Sequence, residues 1–102
     1  MTGLNNAINI SPVGGVGTSP IQIVPAEANR HFLFIQNIST VDIGISLHGG
    51  TPSFDSNGNG EIGTHVLPPL AGLIFDTAPV FGNAINAVAA SGSANLVTVT
   101  QW

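Results

Sequence analysis

The strongest constraint on this chain is that no stretch of it stays uninterrupted for long. From Ile21 onward, short β-favouring runs alternate with turn formers: IQIV (21–24), HFLFIQNI (31–38), VDIGISLH (41–48), IGTHVL (62–67), GLIFDT (72–77), AINAVAA (84–90) and NLVTVTQ (95–101). Runs of this length, bounded by Gly, Pro, Asn and Ser, are what a sandwich or barrel of short strands requires. A helix would need about ten residues free of such breakers, and only AINAVAASGSA comes near, too briefly. The expected fold class is all-β: an antiparallel β-sandwich, jelly-roll-like, of about seven strands.

Within the runs, side chains alternate. In 41–48 the residues Val41, Ile43, Ile45 and Leu47 form one face and Asp42, Gly44, Ser46 and His48 the other, which predicts a core face and a wetter face. The preceding run is apolar on both faces, with Phe32 and Phe34 opposed to Leu33 and Ile35, so a central strand is expected whose outer face meets a second layer or a neighbouring subunit. Pro68–Pro69 cannot donate to a ladder and should mark a crossing between sheets or an edge corner.

Residues 1–19 are different: Gly, Asn, Ser and Pro with isolated apolar positions. They read as an extended N-terminal arm ahead of a single domain spanning 20–102. If the arm binds a partner, Leu4, Ile8, Ile10, Val13 and Val16 are the residues that would do so. The GGVG at 14–17 lacks the third glycine and the preceding strand of a dinucleotide loop, and fits a kink in the arm.

Charge narrows the function. Arg30 is the single basic residue and Glu27, Asp42, Asp55, Glu61 and Asp76 are the acids, giving 6% charged residues and a net charge of −4, against about 25% charged residues in ordinary soluble domains. One cation cannot neutralise a series of phosphates or hold an anionic bilayer, so neither nucleic acid nor membrane is an expected partner. A surface so poor in charge is instead expected to be covered in an assembly, most simply a homo-oligomer, and a trimer is the guess for its number should the chain sit at a threefold axis of that assembly. With no cysteine the fold must rest on packing alone, which suits synthesis in a reducing cytoplasm. No leader or membrane-spanning run is signalled.

Candidate chemistry is sparse. In DSNGNGE, Asp55, Asn57 and Asn59 have the spacing of the first oxygen ligands of a calcium loop, and Gly60 supplies the turn. The twelfth position is Val66 where a bidentate glutamate is needed, so a Gly/Asn turn is the expectation. His31 would face His48 if Ser39–Thr40 were a two-residue hairpin, yet no acidic neighbour offers a third ligand. No metal and no cofactor are therefore expected. Serines and threonines are plentiful, but no G-x-S-x-G elbow occurs and the acids are scattered, so no catalytic constellation is recognisable and the chain is not expected to be an enzyme.

In AEANRHFLFIQNIS (26–39), Arg30 leads into the apolar strand Phe32, Leu33, Ile35 and closes on Gln36 and Asn37. This resembles small virion proteins of tailed bacteriophages. The resemblance runs on through Gly49–Gly50, the Leu67–Pro68 corner, the stretch 79–85 and the final Val97–Thr100 strand, over about residues 26–101. The corner departs from the usual proline followed by glycine, since Pro68–Pro69–Leu70–Ala71–Gly72 stands there.

The resemblance implies a β-sandwich on the outside of a phage particle. The leading expectation is a capsid decoration or cement protein that binds and stabilises the assembled head. Its partner would be the major capsid protein or another virion protein, and its location the capsid surface. Alternatives are a tail, neck or fibre-base component, or a host-surface or carbohydrate-binding module. With no tyrosine and one tryptophan, the chain offers little to stack on sugar rings.

Overall fold

β2, Leu33–Asn37, alternates buried and half-buried residues along its length, because Leu33 and Ile35 face the core while Phe34 and Gln36 face away from it. A one-residue slip would exchange the two aliphatic chains for Phe34 and Gln36, costing burial worth about 1.5–3 kcal/mol per side chain. The same logic fixes β7, Val97–Gln101, whose Val97 and Val99 are fully buried.

The computed structural model describes residues 15–76 and 82–101. It contains seven strands: β1 (Ile21–Val24), β2, β3 (Ile43–Ser46), β4 (His65–Leu67), β5 (Gly72–Phe75), β6 (Ile85–Ala89) and β7. Each lies inside one of the runs predicted above, and no helix occurs among the described residues. All pairings are antiparallel. One sheet has the order β1-β6-β3-β4 and the other β5-β2-β7, the two layers of a β-sandwich. Leu33, Ile35, Val97 and Val99 from the smaller sheet join Ile43, Ile45, Leu67, Ile85 and Ala87 from the larger in one core.

Three expectations need correction. Ser39–Thr40 is not a hairpin, because β2 and β3 belong to different sheets. Asn37 causes the crossing: its Oδ1 accepts from Ser39 N at 2.8 Å and Ser39 Oγ at 2.6 Å, while its Nδ2 donates to Val41 O and Leu67 O, each at 2.7 Å. This fully buried amide thus turns the chain and ties the turn to β4. A side chain that bonds the backbone two residues on competes with the ladder a hairpin would need.

Secondly, the predicted wetter face of β3 is covered. Gly44 and Ser46 are buried because the loop at 49–64 folds back over them. A Cβ on Gly44 would sit 2.7 Å from Thr64 Cγ2 and 3.3 Å from the Phe54 ring, so glycine is required for that close approach.

Thirdly, Val16, expected on the arm, is completely buried in the core. It forms an isolated antiparallel bridge with Asn95, through Val16 N to Asn95 O at 2.7 Å and Asn95 N to Val16 O at 3.1 Å. Gly17 O then accepts from Ala89 N at 2.7 Å. The segment from Val16 therefore links the starts and ends of strands in both sheets.

Candidate interaction surface

The two sheets differ in what covers their outer faces. On the larger sheet, the loop at 49–64 supplies a third layer, built around the Phe54–Gly60 bridge. Asp55 organises its tip: Oδ1 accepts from Asn57 N at 2.8 Å and Asn59 N at 2.9 Å, and Asp55 N donates to Asn59 O at 2.8 Å. Oδ1 thus serves the turn itself. Among the described residues no group of three His, Cys, Asp or Glu side chains is gathered in ligand geometry.

Between this loop and β6 lies a cleft of about 330 Å³, walled by Pro20, Pro52, Phe54, Val88 and Ala90, with Asp55 its one charged group. Its size is at the lower end for small-molecule sites. No convergent set of polar groups lines it.

On the smaller sheet, among the described residues, nothing comparable folds over. The register pairs Phe34 with Ile74 on one side and Thr100 on the other, and Gln36 with Gly72 and Thr98. Ile38 N donates to Leu96 O at 3.2 Å, carrying the pairing one step further. Side chains of even-numbered residues on these strands therefore share the outer face. Ile74 is 58% exposed, and Ile38 and Leu96 are 45% exposed each. The Phe34 ring lies over Gly72, whose Cβ would approach it to 3.2 Å.

Leu70 borders this face at the corner between β4 and β5, where Pro68–Pro69 crosses between sheets as predicted. Ala71 N donates to Pro68 O at 2.9 Å, and Leu70 has φ of 70°. Proline second and a positive φ third is the pattern of a type II turn, where glycine is the usual occupant. The expected proline-glycine corner is thus kept in shape with leucine in the glycine's place. That leucine is 72% exposed, and its carbonyl accepts from Gln36 Nε2 of the outer face at 3.0 Å.

At the opposite end, Arg30 is buried. Its Nε donates to Gln101 Oε1 at 2.8 Å, Nη1 to Asn83 O at 3.2 Å and Nη2 to Pro25 O at 2.9 Å. Burial lowers its pKa from the ordinary arginine value, and nearby Glu27 works against that shift. The guanidinium joins the β1–β2 connection, the entry to β6 and the end of β7, which makes it a structural clamp.

The histidines rearrange with the topology. His31 precedes β2 and His48 follows β3, strands of different sheets. His48 instead neighbours His65, with ring centroids 6.4 Å apart and planes tilted by 37°. Of the residues expected to bind a partner, Leu4, Ile8, Ile10 and Val13 lie outside the described residues, and Val16 is in the core. The sequence reading separated Phe32 and Phe34 from Leu33 and Ile35 but left open which face turns outward, and the exposed neighbours Ile38, Ile74 and Leu96 become one surface only through the register. Comparison with family models, curated proteins and solved structures gave no match.

Proposed function

We propose that this chain is a structural subunit of a larger protein assembly, and specifically a bacteriophage virion protein of the capsid decoration or cement kind. The observation that carries the assembly reading is the outer face of the β5-β2-β7 sheet, where Ile38, Ile74 and Leu96 stand exposed and no other described segment covers them, on a molecule with only six charged residues. Buried against other subunits, such a face contributes apolar area without desolvating charge. The virion assignment rests on the resemblance of residues 26–101.

In this reading the domain is a rigid filler and residues 1–14, with Leu4, Ile8, Ile10 and Val13, add contacts to neighbouring subunits. Binding only to the completed shell would stabilise it by linkage. Val16 and Gly17 are bonded into the domain, so the arm of this reading stops short of them.

The test compares particles assembled with and without the chain. Quantitative mass spectrometry of purified particles should find it at a fixed ratio to the major shell protein. Particles lacking it should release their contents at lower temperature. Its absence from purified particles would sink the virion reading. A chain lacking residues 1–14 should keep its fold and show reduced occupancy.

A further inference from the structure

We propose that the outer face of the three-stranded sheet is the surface through which two copies of this chain pair, sheet against sheet. The inference rests on the reading of the chain as an assembly subunit and names the first partner in that assembly.

The first argument is chemical. Phe34, Gln36, Ile38, Gly72, Ile74, Leu96, Thr98 and Thr100 include no ionisable group. Asp76, the one acid at the rim of this face, directly follows Phe75, is exposed at the end of the even-numbered row and has an interaction of its own. A partner with a charged docking face would bury its charges here without compensation. A second copy of the same face brings no charge to its middle, and of the five acids behind the net charge of −4 only Asp76 stands at its rim, Glu27, Asp42, Asp55 and Glu61 being outside β2, β5 and β7. Sheets stacked face to face pack about 10 Å apart with interdigitating side chains, a geometry that a two-fold axis satisfies with one patch.

The second argument is area. Ile38, Leu70, Ile74 and Leu96, at 45%, 72%, 58% and 45% exposure, present on the order of 400 Å² together, within the range of about 300–600 Å² for the largest apolar patch of a monomer. With the half-buried Phe34, Gln36, Thr98 and Thr100 included, pairing two faces removes roughly 1,000 Å² from water, the threshold of a specific interface.

The third argument is backbone strain. Leu70 holds a left-handed conformation that glycine would adopt without cost. In the single chain its side chain is largely solvent-exposed and gains little from that placement. Strain kept at an exposed apolar side chain is accounted for when the side chain is buried by a partner.

Sedimentation velocity and native mass spectrometry of the full chain over a wide concentration range test the proposal. The expected species is a dimer. Ile74→Asp, which buries an unpaired carboxylate twice across the axis, should weaken it about a hundredfold or more. Thr98→Lys, on the other edge strand of the same face, provides an independent variant should Ile74→Asp fold poorly.

Leu70→Gly separates the interface from the fold. It should weaken the dimer about tenfold, yet in the monomeric Ile74→Asp background it should leave the melting temperature unchanged or raise it. A purely structural leucine would lower it. A single-chain mass at all concentrations, a trimer, or a dimer indifferent to both Ile74→Asp and Thr98→Lys in folded protein would overturn the proposal. A monomer that still occupies particles refutes the pairing and leaves the assembly reading standing. A dimer absent from particles does the reverse.

Discussion

The backbone N–H of Leu70 donates to the carbonyl of Asn37 across 2.7 Å, joining the strained corner between β4 and β5 to the buried amide that carries the chain from β2 to β3. Ala71 O accepts from Asn37 N at 2.9 Å, so the β2–β3 and β4–β5 crossings are tied together at one residue. Asn37 has hydrogen-bonded both its backbone and its side chain, and among the described residues no buried side-chain polar atom lacks a partner.

Asn37→Ala should therefore destabilise the domain by about 3 kcal/mol, since Val41 O and Leu67 O lose a buried donor and Ser39 loses its acceptor. Urea denaturation read by tryptophan fluorescence or circular dichroism measures this. A loss below about 0.5 kcal/mol, typical of an exposed position, would remove Asn37 from this role.

Arg30→Lys should cost nearly as much as Arg30→Ala, about 2–4 kcal/mol, although it preserves the charge. A single ammonium cannot reach Gln101 Oε1, Asn83 O and Pro25 O with the geometry of a planar fork, and the unreached acceptors stay buried. Equilibrium denaturation of the two variants side by side decides it: full rescue by lysine would show that charge alone matters.

Gly44→Ala should destabilise by about 2 kcal/mol, because the new methyl overlaps Thr64 and presses on Phe54, forcing the covering loop outward. Hydrogen exchange should localise the loosening to residues 49–64, with β2 and β7 unaffected.

Val16→Ala should cost about 2 kcal/mol, the value of a cavity at a fully buried position. A residue on a free arm would give a change near zero in the same thermal or urea melt.

Asp55→Ala should loosen the loop tip by about 1 kcal/mol through loss of the two amide contacts, with Asp55→Asn close to neutral because its carbonyl can accept both. Calorimetric titration of the native chain with calcium should give no binding heat, and the melting temperature should not rise with the ion.

The strands were readable from sequence because both signals involved are local. Period-two alternation tells which side chains share a face, and Gly, Pro and Asn punctuate the runs. The partition of those strands between sheets was not readable, since the five residues from Ile38 to Asp42 suit a hairpin as well as a crossing. Asn37 decides between them through partners as distant in sequence as Leu67.

The covered face of β3 was hidden for a similar reason. Glycine and serine in alternation with isoleucine look solvent-facing, and only the return of Phe54 from an irregular loop reverses that. Val16 looked like one more isolated valine in a glycine-rich arm, because a single bridge leaves no periodic trace. At the corner, proline-leucine gave no sign that leucine would occupy a glycine conformation. That 31–38 carries two apolar faces was legible, whereas which of them turns outward, and the surface it helps form, depends on register with β5 and β7.

The loop at 49–64 shields one sheet with the protein's own chain, and among the described residues no segment does the same for the other, so the described domain has a front and a back. Gly58, at the exposed tip of that loop, has open space around it, and neighbouring Ile62 is fully exposed. A peptide spliced in at Gly58 would stand on the side away from the bare sheet. That makes this tip the natural handle for attaching a label or displaying a foreign epitope while the opposite side stays engaged.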